Sequence, residues 1–595
     1  MDWKRAAAIL YGDWGTSKAY VIGLAFAVAG YSSFWLIAAM CVLTALVGLN
    51  YMVICRLYPD GGGVYASVRH RSEVISIVGA FLLIADYLVT AAISALSAFQ
   101  YLGVPHPEKF AAASILIIGL LNLLGPKQTG GLAFLISVPT AIVVVVLGLF
   151  SLPHLGTALG HLQPLHGTFG QNWAGFVGIV LALSGVEAIA NATGVMKLDA
   201  GSSEENPCVV RTSTPAILIV MVEVCLFTAL LGLAMHALGG LQIVNGDVNA
   251  PGAEGVRDYM LRYMGQMFVG GTFGPALGHA FGFLVSIVFG LLLLSASNTA
   301  IVDLIAIQFL MSRDRELPNI FQRLNKWGVP SAGMLLATLV PMLLVIVVKD
   351  MSSLADLYAV GVVGAIATNL GATATDRKLS IKTWERSLMF ATFLVMAAIE
   401  ISLLIDKPNA RYFAVTILAV GLILRGLVQE RRMKKEAAPA VVRGQLGVDL
   451  TQPIPETPPP SGSEAILCAI RGTGRTLDFA LREARKAGAR LYLLFVREQP
   501  FMTEQDVGRK WQEDAEASAI FSEAKRKSAD HQPLFCYAVS PSAAETIVDV
   551  AATLGASRVI LGAPQRSALI NLLRGNVIRE VSNSLPDEID LLVYA

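Results

Sequence analysis

Apolar residues dominate the first 430 positions of the chain and are collected into long runs. A helix needs roughly 20 mostly apolar residues to cross the hydrocarbon layer of a membrane. About twelve stretches meet this requirement, and they lie near 5–30, 32–56, 72–102, 109–124, 128–150, 172–198, 211–238, 272–310, 331–349, 352–376, 386–405 and 410–428. The pattern predicts an all-α membrane bundle of twelve transmembrane helices.

The pattern changes after the twelfth stretch. Residues 436–463 contain PIPETPPPSGS, a composition typical of an extended linker. Short apolar or β-branched runs then alternate with segments of helical periodicity; the runs are AILCAI, ARLYLLFV, PLFCYAV, SRVILGA and IDLLVYA. This alternation predicts a cytosolic α/β domain built on a doubly wound parallel sheet. We therefore expect a transport domain over 1–432, a linker over 433–463 and the cytosolic domain over 464–595.

Composition supports a membrane protein and excludes several other classes. The chain is 54% hydrophobic and only 15% charged, which is too apolar for an ordinary soluble protein. A net charge of +1 offers no basic surface for nucleic acid. The six cysteines are scattered without the paired spacing of a zinc site or a disulfide framework. No group of residues indicates an enzyme, and we expect no cofactor and no structural metal.

Lysine and arginine are concentrated in alternate connections between the predicted helices. The richest of these connections are SRDRELPNIFQRLNK, DRKLSIKTWER and ERRMKKE, whereas the opposite connections hold few basic residues. Basic connections face the cytoplasm by the positive-inside rule. We therefore expect a multi-pass protein of the plasma membrane with both termini in the cytoplasm.

The first apolar stretch contains an acidic residue, in YGDWGTSKAY. A charge at the bilayer centre costs at least about 2.5–3.5 kcal/mol, so it needs a reason. Gly12 and Gly15 flank Asp13 and predict a helix break, which would expose backbone carbonyls to a cation. Tyr20, seven residues after Asp13, returns to the same face two turns later. In the alternative interpretation, Asp13 pairs with Lys18 or lies near the cytoplasmic interface.

The sixth stretch contains ALSGVEAIANATG. Ser184 and Glu187 share one helical face, and Gly185 between them predicts a second break. The first and sixth helices begin two five-helix halves, and paired glycine-interrupted segments at matching positions indicate a transporter binding site. We therefore expect a 5+5 inverted repeat. The alternative is that Glu187 is only a structural hydrogen-bonding group.

Two further candidates are less specific. Thr90 lies in ADYLVTAAISALSAF, where Asp86, Thr90 and Ser94 follow one side of the third helix. Tyr358 lies in LADLYAVGVVGA on the tenth helix. Helix packing explains hydroxyls and small residues in membrane helices as well as ion binding does, so both interpretations stay open.

The stretch YGDWGTS resembles the YGDxGTSxxY signature of the Kup/HAK potassium-uptake permeases, and DYLVTAAISALSAF resembles their third-helix stretch. Together with SGVEA, LYAVGVV and the soluble C-terminal domain, the chain is similar to KimA-type potassium/proton symporters of the amino acid-polyamine-organocation superfamily, which have a LeuT/APC-like fold. The resemblance implies that an ion is surrounded by Asp13, Tyr20, Thr90, Ser184, Glu187 and Tyr358. Ser184 stands where a threonine is common in these relatives.

The C-terminal domain resembles universal stress proteins, some of which bind nucleotides through a glycine-rich loop. The corresponding stretch, GAPQRSALINLLRGN, has Gly562 and Gly575 but Gln565 in place of the middle glycine. The resemblance to KimA-type proteins implies a homodimer formed through this domain and inhibition by cyclic di-AMP, with help from Arg566 and Arg574. A purely structural dimerisation module is the alternative.

These observations favour a secondary-active transporter that takes up potassium with protons by alternating access. Asp13 and Glu187 would supply the negative charge, and one of them would take the proton. An amino acid permease on the same scaffold is the alternative, although the carboxylate of Asp13 would repel that of an amino acid. A nutrient sensor that binds the same solute without transporting it is a third hypothesis.

Overall fold

The structure is a computed structural model of the 595-residue chain. It describes all residues except 125–128, 184, 204–206, 326, 444–446, 449–463, 500–509, 529–531, 541, 563–576, 587 and 595, and only the backbone of 129–132, 181–182, 431–443 and 447–448. The chain divides into two compact units, Met1–Glu430 and Arg431–Ala595.

The first unit is helical apart from one short β-hairpin, within the residues that the structure describes. The helices are α1 (Trp3–Trp14), α2 (Ser17–Ala29), α3 (Ser33–Leu57), α4 (Gly63–Arg69), α5 (Glu73–Leu102), α6 (Pro107–Asn122), α7 (Thr129–Ser151), α8 (Leu155–His161), α9 (Phe169–Gly178), α10 (Ala188–Ala192), α11 (Val210–Ala234), α12 (Met260–Phe273), α13 (Pro275–Arg313), α14 (Ser331–Val348), α15 (Met351–Thr375), α16 (Thr383–Asp406) and α17 (Pro408–Arg443). The antiparallel hairpin consists of β1 (Gln242–Val244) and β2 (Asp247–Asn249).

Nine helical stretches in the described part of the chain are long and apolar enough to cross a membrane. They are Trp3–Leu57, Glu73–Leu102, Ala133–His161, Val210–Ala237, Pro275–Arg313, Ser331–Val348, Met351–Thr375, Thr383–Asp406 and Pro408–Glu430. The first of these contains α1, α2 and α3 in a run of 55 residues. The predicted stretch 109–124 corresponds to α6, which has only 16 residues, and the stretch 172–198 is divided into shorter helices. A multi-pass membrane protein is confirmed, whereas the count of twelve and the inverted repeat stay predictions.

Two helices, α5 and α15, lie at the centre of the first unit. In the most apolar 18-residue segment of each helix, 83% of the residues of α5 and 89% of those of α15 are buried. The corresponding value for Pro408–Glu430 is 11%. Helix α5 packs against α13 and α15, and its contact surface is rich in alanine and serine. Small residues allow helix backbones to approach closely where lipid gives no hydrophobic driving force. The third and tenth predicted helices are thus the inner ones.

The second unit contains a parallel sheet, as the sequence predicts. Its strands are β3 (Gly447–Val448), β4 (Ala465–Ala469), β5 (Arg490–Glu498), β6 (Leu534–Ser540), β7 (Arg558–Gly562) and β8 (Asp590–Tyr594), in the order β3-β6-β5-β4-β7-β8. Strands β4 to β8 pair in parallel, whereas β3 adds an antiparallel edge. The helices are α18 (Arg475–Ala487), α19 (Ala515–Lys527), α20 (Ala543–Thr553) and α21 (Val577–Ser584).

Helices cover both faces of this sheet. One apolar core joins α18 and α19 to alternate sheet residues such as Ile466 and Cys468, and the other joins α20 and α21 to Leu467. Successive side chains of β4 therefore lie in the two cores alternately, which is the packing of a doubly wound fold. Helix α17 continues to Arg443, into the predicted linker 433–463, whose bounds stay a prediction. The run KKEAA consists of good helix formers, which explains this extension.

Candidate functional site

The first membrane span is broken between Trp14 and Ser17, as the glycines predict. The break is a tight turn: the Thr16 amide donates to the Asp13 carbonyl at 3.0 Å, and the Ala19 amide donates to the Thr16 carbonyl at 2.8 Å. These bonds connect residues three apart rather than four. A Cβ atom at Gly15 would collide with the carbonyl oxygen of Tyr11, so the turn requires glycine. Gly12, by contrast, lies within continuous helix α1 and forms no part of the break.

The predicted sixth span, residues 172–198, is divided more completely. Helix α9 ends at Gly178, a short 3-10 helix covers Val180–Leu183, and a turn leads through Gly185 into α10. Gly185 has a φ of +92°, a conformation that favours glycine. The prediction of a break at this glycine is confirmed. Ser184, the predicted ligand beside it, lies outside the described residues.

The two breaks are in contact. A Cβ atom placed on Gly185 would lie 2.5 Å from the amide nitrogen of Trp14 and 2.9 Å from Cγ of Asp13. Only a glycine at position 185 allows the two turns to approach this closely. Asp13 is 2% exposed, so its carboxyl group lies in the interior beside the second break. The structure thus brings together the two segments that the sequence singled out.

Lys18 does not form the ion pair that the alternative interpretation proposed for Asp13. Its ammonium pairs instead with the Glu223 carboxylate of α11, with 2.9 Å between Nζ and Oε2. It also donates to the Gly15 carbonyl at 3.0 Å. The positive charge of Lys18 is therefore paired with Glu223 of α11 rather than with Asp13.

Tyr20 is linked to the first break through Thr16. The Tyr20 hydroxyl donates to Thr16 Oγ1 at 2.8 Å, and Thr16 Oγ1 donates to the Asp13 carbonyl oxygen at 2.5 Å. The Tyr20 hydroxyl also lies 3.4 Å from Ser94 Oγ on α5. All of these groups are buried. A row of hydroxyl oxygens thus connects the first break with the central helix α5.

Thr90 lies on α5 one turn after a fully buried acid, Asp86. Its hydroxyl is 2.9 Å from the Asp86 carbonyl oxygen and 3.1 Å from Asp86 Oδ1. Helix α15 approaches the same place, because a Cβ atom on Gly361 would lie 2.6 Å from the Asp86 amide nitrogen. Tyr358 stands three residues before Gly361 on α15 and is 1% exposed. Helix α15 also packs against the Val180–Leu183 segment of the sixth span.

Glu187 and Asp86 form a pair of buried carboxyl groups. Their side chains interact with each other, and both groups are buried. Glu187 Oε1 accepts from the Gly185 amide at 3.3 Å, whereas Glu187 Oε2 and Asp86 Oδ2 have no hydrogen-bond partner among the described residues. Two interacting carboxyl groups in a dry interior repel each other when both are charged, and a shared proton or a cation removes this repulsion.

Two acids beyond the predicted set belong to this cluster. Asp86 lies on the same face of α5 as Thr90, four residues earlier, so the helical spacing could have identified it as a site residue. Asp303 of α13 interacts electrostatically with Asp13, as do Asp86 and Glu187. Asp303 is far from the other three acids along the chain, so no local pattern points to it. Four buried carboxyl groups thus interact electrostatically near the two breaks.

This arrangement is suited to a small cation and to protons. Carboxylate, hydroxyl and carbonyl oxygens can replace the hydration shell of an alkali ion. Several acids in a low-dielectric interior repel one another and are stabilised by any positive ion between them. Of the predicted ligands, Asp13 and Glu187 interact with each other. Thr90 is hydrogen-bonded to Asp86, which interacts with Glu187. Tyr20 is hydrogen-bonded to Thr16, which in turn binds the Asp13 carbonyl.

The nucleotide site predicted for the second unit is only partly within the described residues. Gly562 ends β7 at the carboxyl edge of the sheet, where a Cβ atom would lie 2.9 Å from Thr476 Oγ1 of α18. Strand β4 lies between β5 and β7, so the strand order reverses beside it. Ligands of open α/β sheets bind at the carboxyl ends of the strands where such a reversal occurs. Arg566, Arg574 and Gly575 lie outside the described residues, so the predicted loop stays a prediction.

Comparison with known proteins assigns the two units of the fold to different families. A family described as "Amino acid permease" matches residues 1–423, and the "Universal stress protein family" matches residues 464–588. The resemblance to transporters of this superfamily and to universal stress proteins is therefore confirmed. The name of the first family and the names of the relatives below are those of transporters, not of enzymes.

Two curated relatives carry names that refer to potassium. The protein is 28% identical over 389 residues to "Potassium transporter KimA" of Bacillus subtilis (strain 168), which covers 60% of this chain and 58% of the relative. It is 30% identical over 212 residues to "Probable potassium transport system protein Kup 1" of Bradyrhizobium sp. (strain BTAi1), which covers 31% of this chain and 35% of the relative. The chain thus spans less than two thirds of the length of either relative.

Proposed function

The chain belongs to the amino acid permease family, and on this basis we propose that it is a proton-coupled potassium transporter that works by alternating access. The main support is the cluster of carboxyl groups at the contact between the two broken spans. Asp13 and Glu187 meet at Gly185, and Asp86 lies beside Glu187. The names of the two relatives above favour the same substrate.

In the proposed site, potassium is bound by oxygen atoms from both breaks and from the two central helices. The ligands are Asp13, Tyr20, Thr90, Ser184, Glu187 and Tyr358. The charge of the ion offsets the repulsion between the carboxylates, and potassium is preferred over an amino acid because a substrate carboxylate would be repelled by Asp13. This preference opposes the alternative function, an amino acid permease.

Coupling to protons follows from the pair formed by Asp86 and Glu187. Each has one carboxyl oxygen without a donor in the described part of the chain. A proton held between them neutralises one charge, and potassium nearby favours the loss of that proton by electrostatic repulsion. Proton and ion occupancy are therefore linked, which is the requirement for coupled transport. We assign the proton to this pair, with Glu187 as the member that also contacts the ion.

Alternating access is supported by the positions of the breaks. In the proposed topology, twelve spans form two five-helix repeats of inverted orientation and two additional helices. The spans with breaks come first in each repeat, and α5 and α13, the third spans of the two repeats, pack against each other. Rocking of one repeat against the other would expose the site to each side in turn. Basic connections on one side favour cytoplasmic termini in the plasma membrane.

The second unit is proposed to regulate transport or to form a homodimer. Its match to the universal stress protein family supports a nucleotide at the edge near Gly562, and cyclic di-AMP is the proposed ligand. Isothermal titration of the full-length protein with cyclic di-AMP and with ATP tests this assignment. Binding of neither nucleotide, together with a dimer by mass photometry, would favour a purely structural module.

The function is tested by potassium and rubidium uptake into proteoliposomes with the internal pH recorded. We expect the wild type to accumulate potassium while the lumen becomes more acidic. Asp13→Asn and Glu187→Gln should each reduce uptake at least about tenfold, since each removes a charge opposite the ion. Glu400→Gln is the matched control, because Glu400 is a carboxyl group of α16, at Gly364 of α15, that has no electrostatic interaction with the acids of the cluster in the described part of the chain.

Wild-type uptake by both Asp13→Asn and Glu187→Gln would contradict this function. A separate measurement distinguishes it from the permease: the melting temperature of the purified protein is measured with potassium, rubidium and a panel of amino acids. We expect stabilisation by the two cations only. Stabilisation by an amino acid and not by potassium would favour the permease.

A further inference from the structure

The ammonium of Lys18 is enclosed inside the membrane unit, where its side chain has no exposed surface. It lies 3.0 Å from the Gly15 carbonyl oxygen, 2.9 Å from Glu223 Oε2 and 3.4 Å from the Tyr11 hydroxyl. It also lies over the Tyr11 ring, 4.8 Å from the centroid. Three oxygens of different chemistry and one aromatic face thus surround a single positive charge.

One of these oxygens is available only because the helix is broken. In a continuous helix the Gly15 carbonyl would accept from the amide of Ala19. Here the Ala19 amide donates to Thr16 instead, and the Gly15 carbonyl accepts from the Lys18 ammonium. This carbonyl is at the C-terminal end of α1, where the helix dipole favours a positive charge. The ammonium therefore occupies a position that the break creates for a cation.

Glu223 connects the two halves of the broken span. Its Oε2 binds Lys18 at the start of α2, and its Oε1 accepts from the Tyr11 hydroxyl of α1 at 2.9 Å. Both halves are therefore attached to one carboxylate of α11. Any change in the angle between α1 and α2 would have to stretch one of these bonds or move α11 as well.

A small cavity lies next to this cluster, between α2, α3 and α11. It has a volume of about 10 Å³, and its lining includes the hydroxyl-bearing residues Ser17 and Thr228 and the thiol of Cys225. The Ser17 and Thr228 hydroxyls are buried without a hydrogen-bond partner in the described part of the chain. The space is close to that of one water molecule.

We propose that Lys18 is a tethered cation: its ammonium permanently fills a second cation position at the break of the first span, on the side of α11. The proposal rests on the proposed function, because it deepens the account of the same broken span. It follows that this second position is closed to alkali cations, which exchange at the carboxyl cluster of Asp13, Asp86 and Glu187. Lys18 acts as a positioning residue, which holds α1 and α2 together through Glu223.

The proposal predicts that truncation of Lys18 opens a site for a free cation. Lys18→Ala leaves Glu223, the Gly15 carbonyl and the Tyr11 hydroxyl around an empty space. We expect full-length Lys18→Ala to lose at least about tenfold in uptake, because one partner of a buried ion pair is missing. Methylammonium should restore both the melting temperature and the uptake toward wild-type values. A residue with only a packing role would not respond to a small cation.

The matched control is Lys18→Ala/Glu223→Gln, which removes the carboxylate that attracts the cation. Its melting temperature should exceed that of Lys18→Ala without methylammonium and should not change when methylammonium is added. If Lys18→Ala is purified in folded form only in the presence of methylammonium, the proposal is supported. If no methylammonium response is found in Lys18→Ala while the double variant folds, the proposal is wrong.

A neutral side chain of similar length gives a second test. Lys18→Met fills the space without a charge, so we expect low uptake that methylammonium does not restore. Wild-type uptake by Lys18→Met would overturn the proposal. The melting temperatures do not depend on transport, so the two hypotheses can fail separately. If the wild type takes up no potassium but methylammonium raises the melting temperature of Lys18→Ala, only the proposed function is contradicted.

Discussion

Gly185 of the sixth span and Trp14 of the first span are in direct backbone contact, with only 2.5 Å between the Trp14 amide nitrogen and the position that a Cβ atom on residue 185 would occupy. Gly185 also has a φ of +92°. Two independent requirements, close approach and backbone conformation, therefore specify glycine at this position. The contact between the two breaks brings Asp13 next to Glu187.

Gly185→Ala tests whether this contact is needed. We expect the melting temperature to fall, because the backbone conformation alone costs about 1–3 kcal/mol for a residue with a side chain, and uptake to fall at least tenfold because the methyl group separates the two breaks. Gly178→Ala is the control on the same span, since a Cβ atom there would have only one neighbour, at 4.0 Å. Equal effects of both substitutions on melting temperature and uptake would contradict the argument.

The positions of the two breaks could be predicted because glycine acts locally. Gly15 and Gly185 are required by a tight turn and by a positive φ, and both requirements leave a mark in the sequence. Gly12 could not be distinguished from them, although it lies within a regular helix. A glycine in a membrane helix indicates either a break or a close contact, and only the tertiary structure decides between the two.

Contacts between distant residues could not be predicted from local patterns. Lys18 and Glu223 are 205 positions apart, and the sequence offered Asp13, five residues away, as the obvious partner for Lys18. The approach of Asp86 to Glu187 similarly depends on how α5 packs against the broken sixth span. The predicted parallel sheet is confirmed because alternation of strands and helices is a local signal, whereas its antiparallel edge, β3, lies within the predicted linker.

Asp86→Asn is expected to uncouple potassium uptake from protons. The amide has nearly the shape of the carboxyl group but cannot take up or release a proton, so the pair with Glu187 would no longer share one. We expect the pH dependence of uptake to become flatter and the acidification of the lumen to be lost. The measurement is initial uptake across a series of external pH values, with Glu400→Gln as the control that retains the wild-type profile.

An Asp86→Asn protein that transports potassium with unchanged acidification would show that the proton is bound elsewhere. Asp303 is then the next residue to replace, since it also interacts with Asp13 and is remote from the Asp86–Glu187 pair along the chain. A loss of all uptake in Asp86→Asn would be explained by a direct contact with the ion. Thermal stabilisation by potassium separates this outcome from misfolding, because a folded variant without the ion site is not stabilised.

Tyr20→Phe is expected to weaken potassium binding without unfolding the protein. The hydroxyl group donates to Thr16 Oγ1 at 2.8 Å, and its removal takes one oxygen away from the row that leads to Asp13. One net hydrogen bond contributes about 1 kcal/mol, so the half-saturating potassium concentration should rise about fivefold. Tyr412→Phe is the control, because the Tyr412 side chain is exposed on α17. An unchanged half-saturation value in Tyr20→Phe would remove Tyr20 from the site.

The last prediction concerns the stability of the second unit in acid. Asp514 is 3% exposed and begins α19, where it accepts from Arg497 at 2.7 Å and from the Tyr537 hydroxyl at 3.0 Å. Its burial opposes the charged form, but the hydrogen bonds from Arg497, the Ala517 amide and Tyr537 outweigh burial and lower the pKa of Asp514 to about 2. An unfolded aspartate has a pKa of about 3.9, so the charged form stabilises the folded state by roughly 2.6 kcal/mol.

Because the folded pKa lies below the unfolded one, this stabilisation is complete above about pH 4 and is lost as the pH falls toward 2. Asp514→Asn should therefore destabilise the second unit at neutral pH and make its stability less sensitive to acid in that interval. Hydrogen exchange of α19 amides in the full-length protein measures both effects, with Asp549→Asn on α20 as the control, since no hydrogen bond or ion pair is described for its side chain. Equal acid sensitivity in the wild type and Asp514→Asn would show that Arg497 and Asp514 do not stabilise the fold.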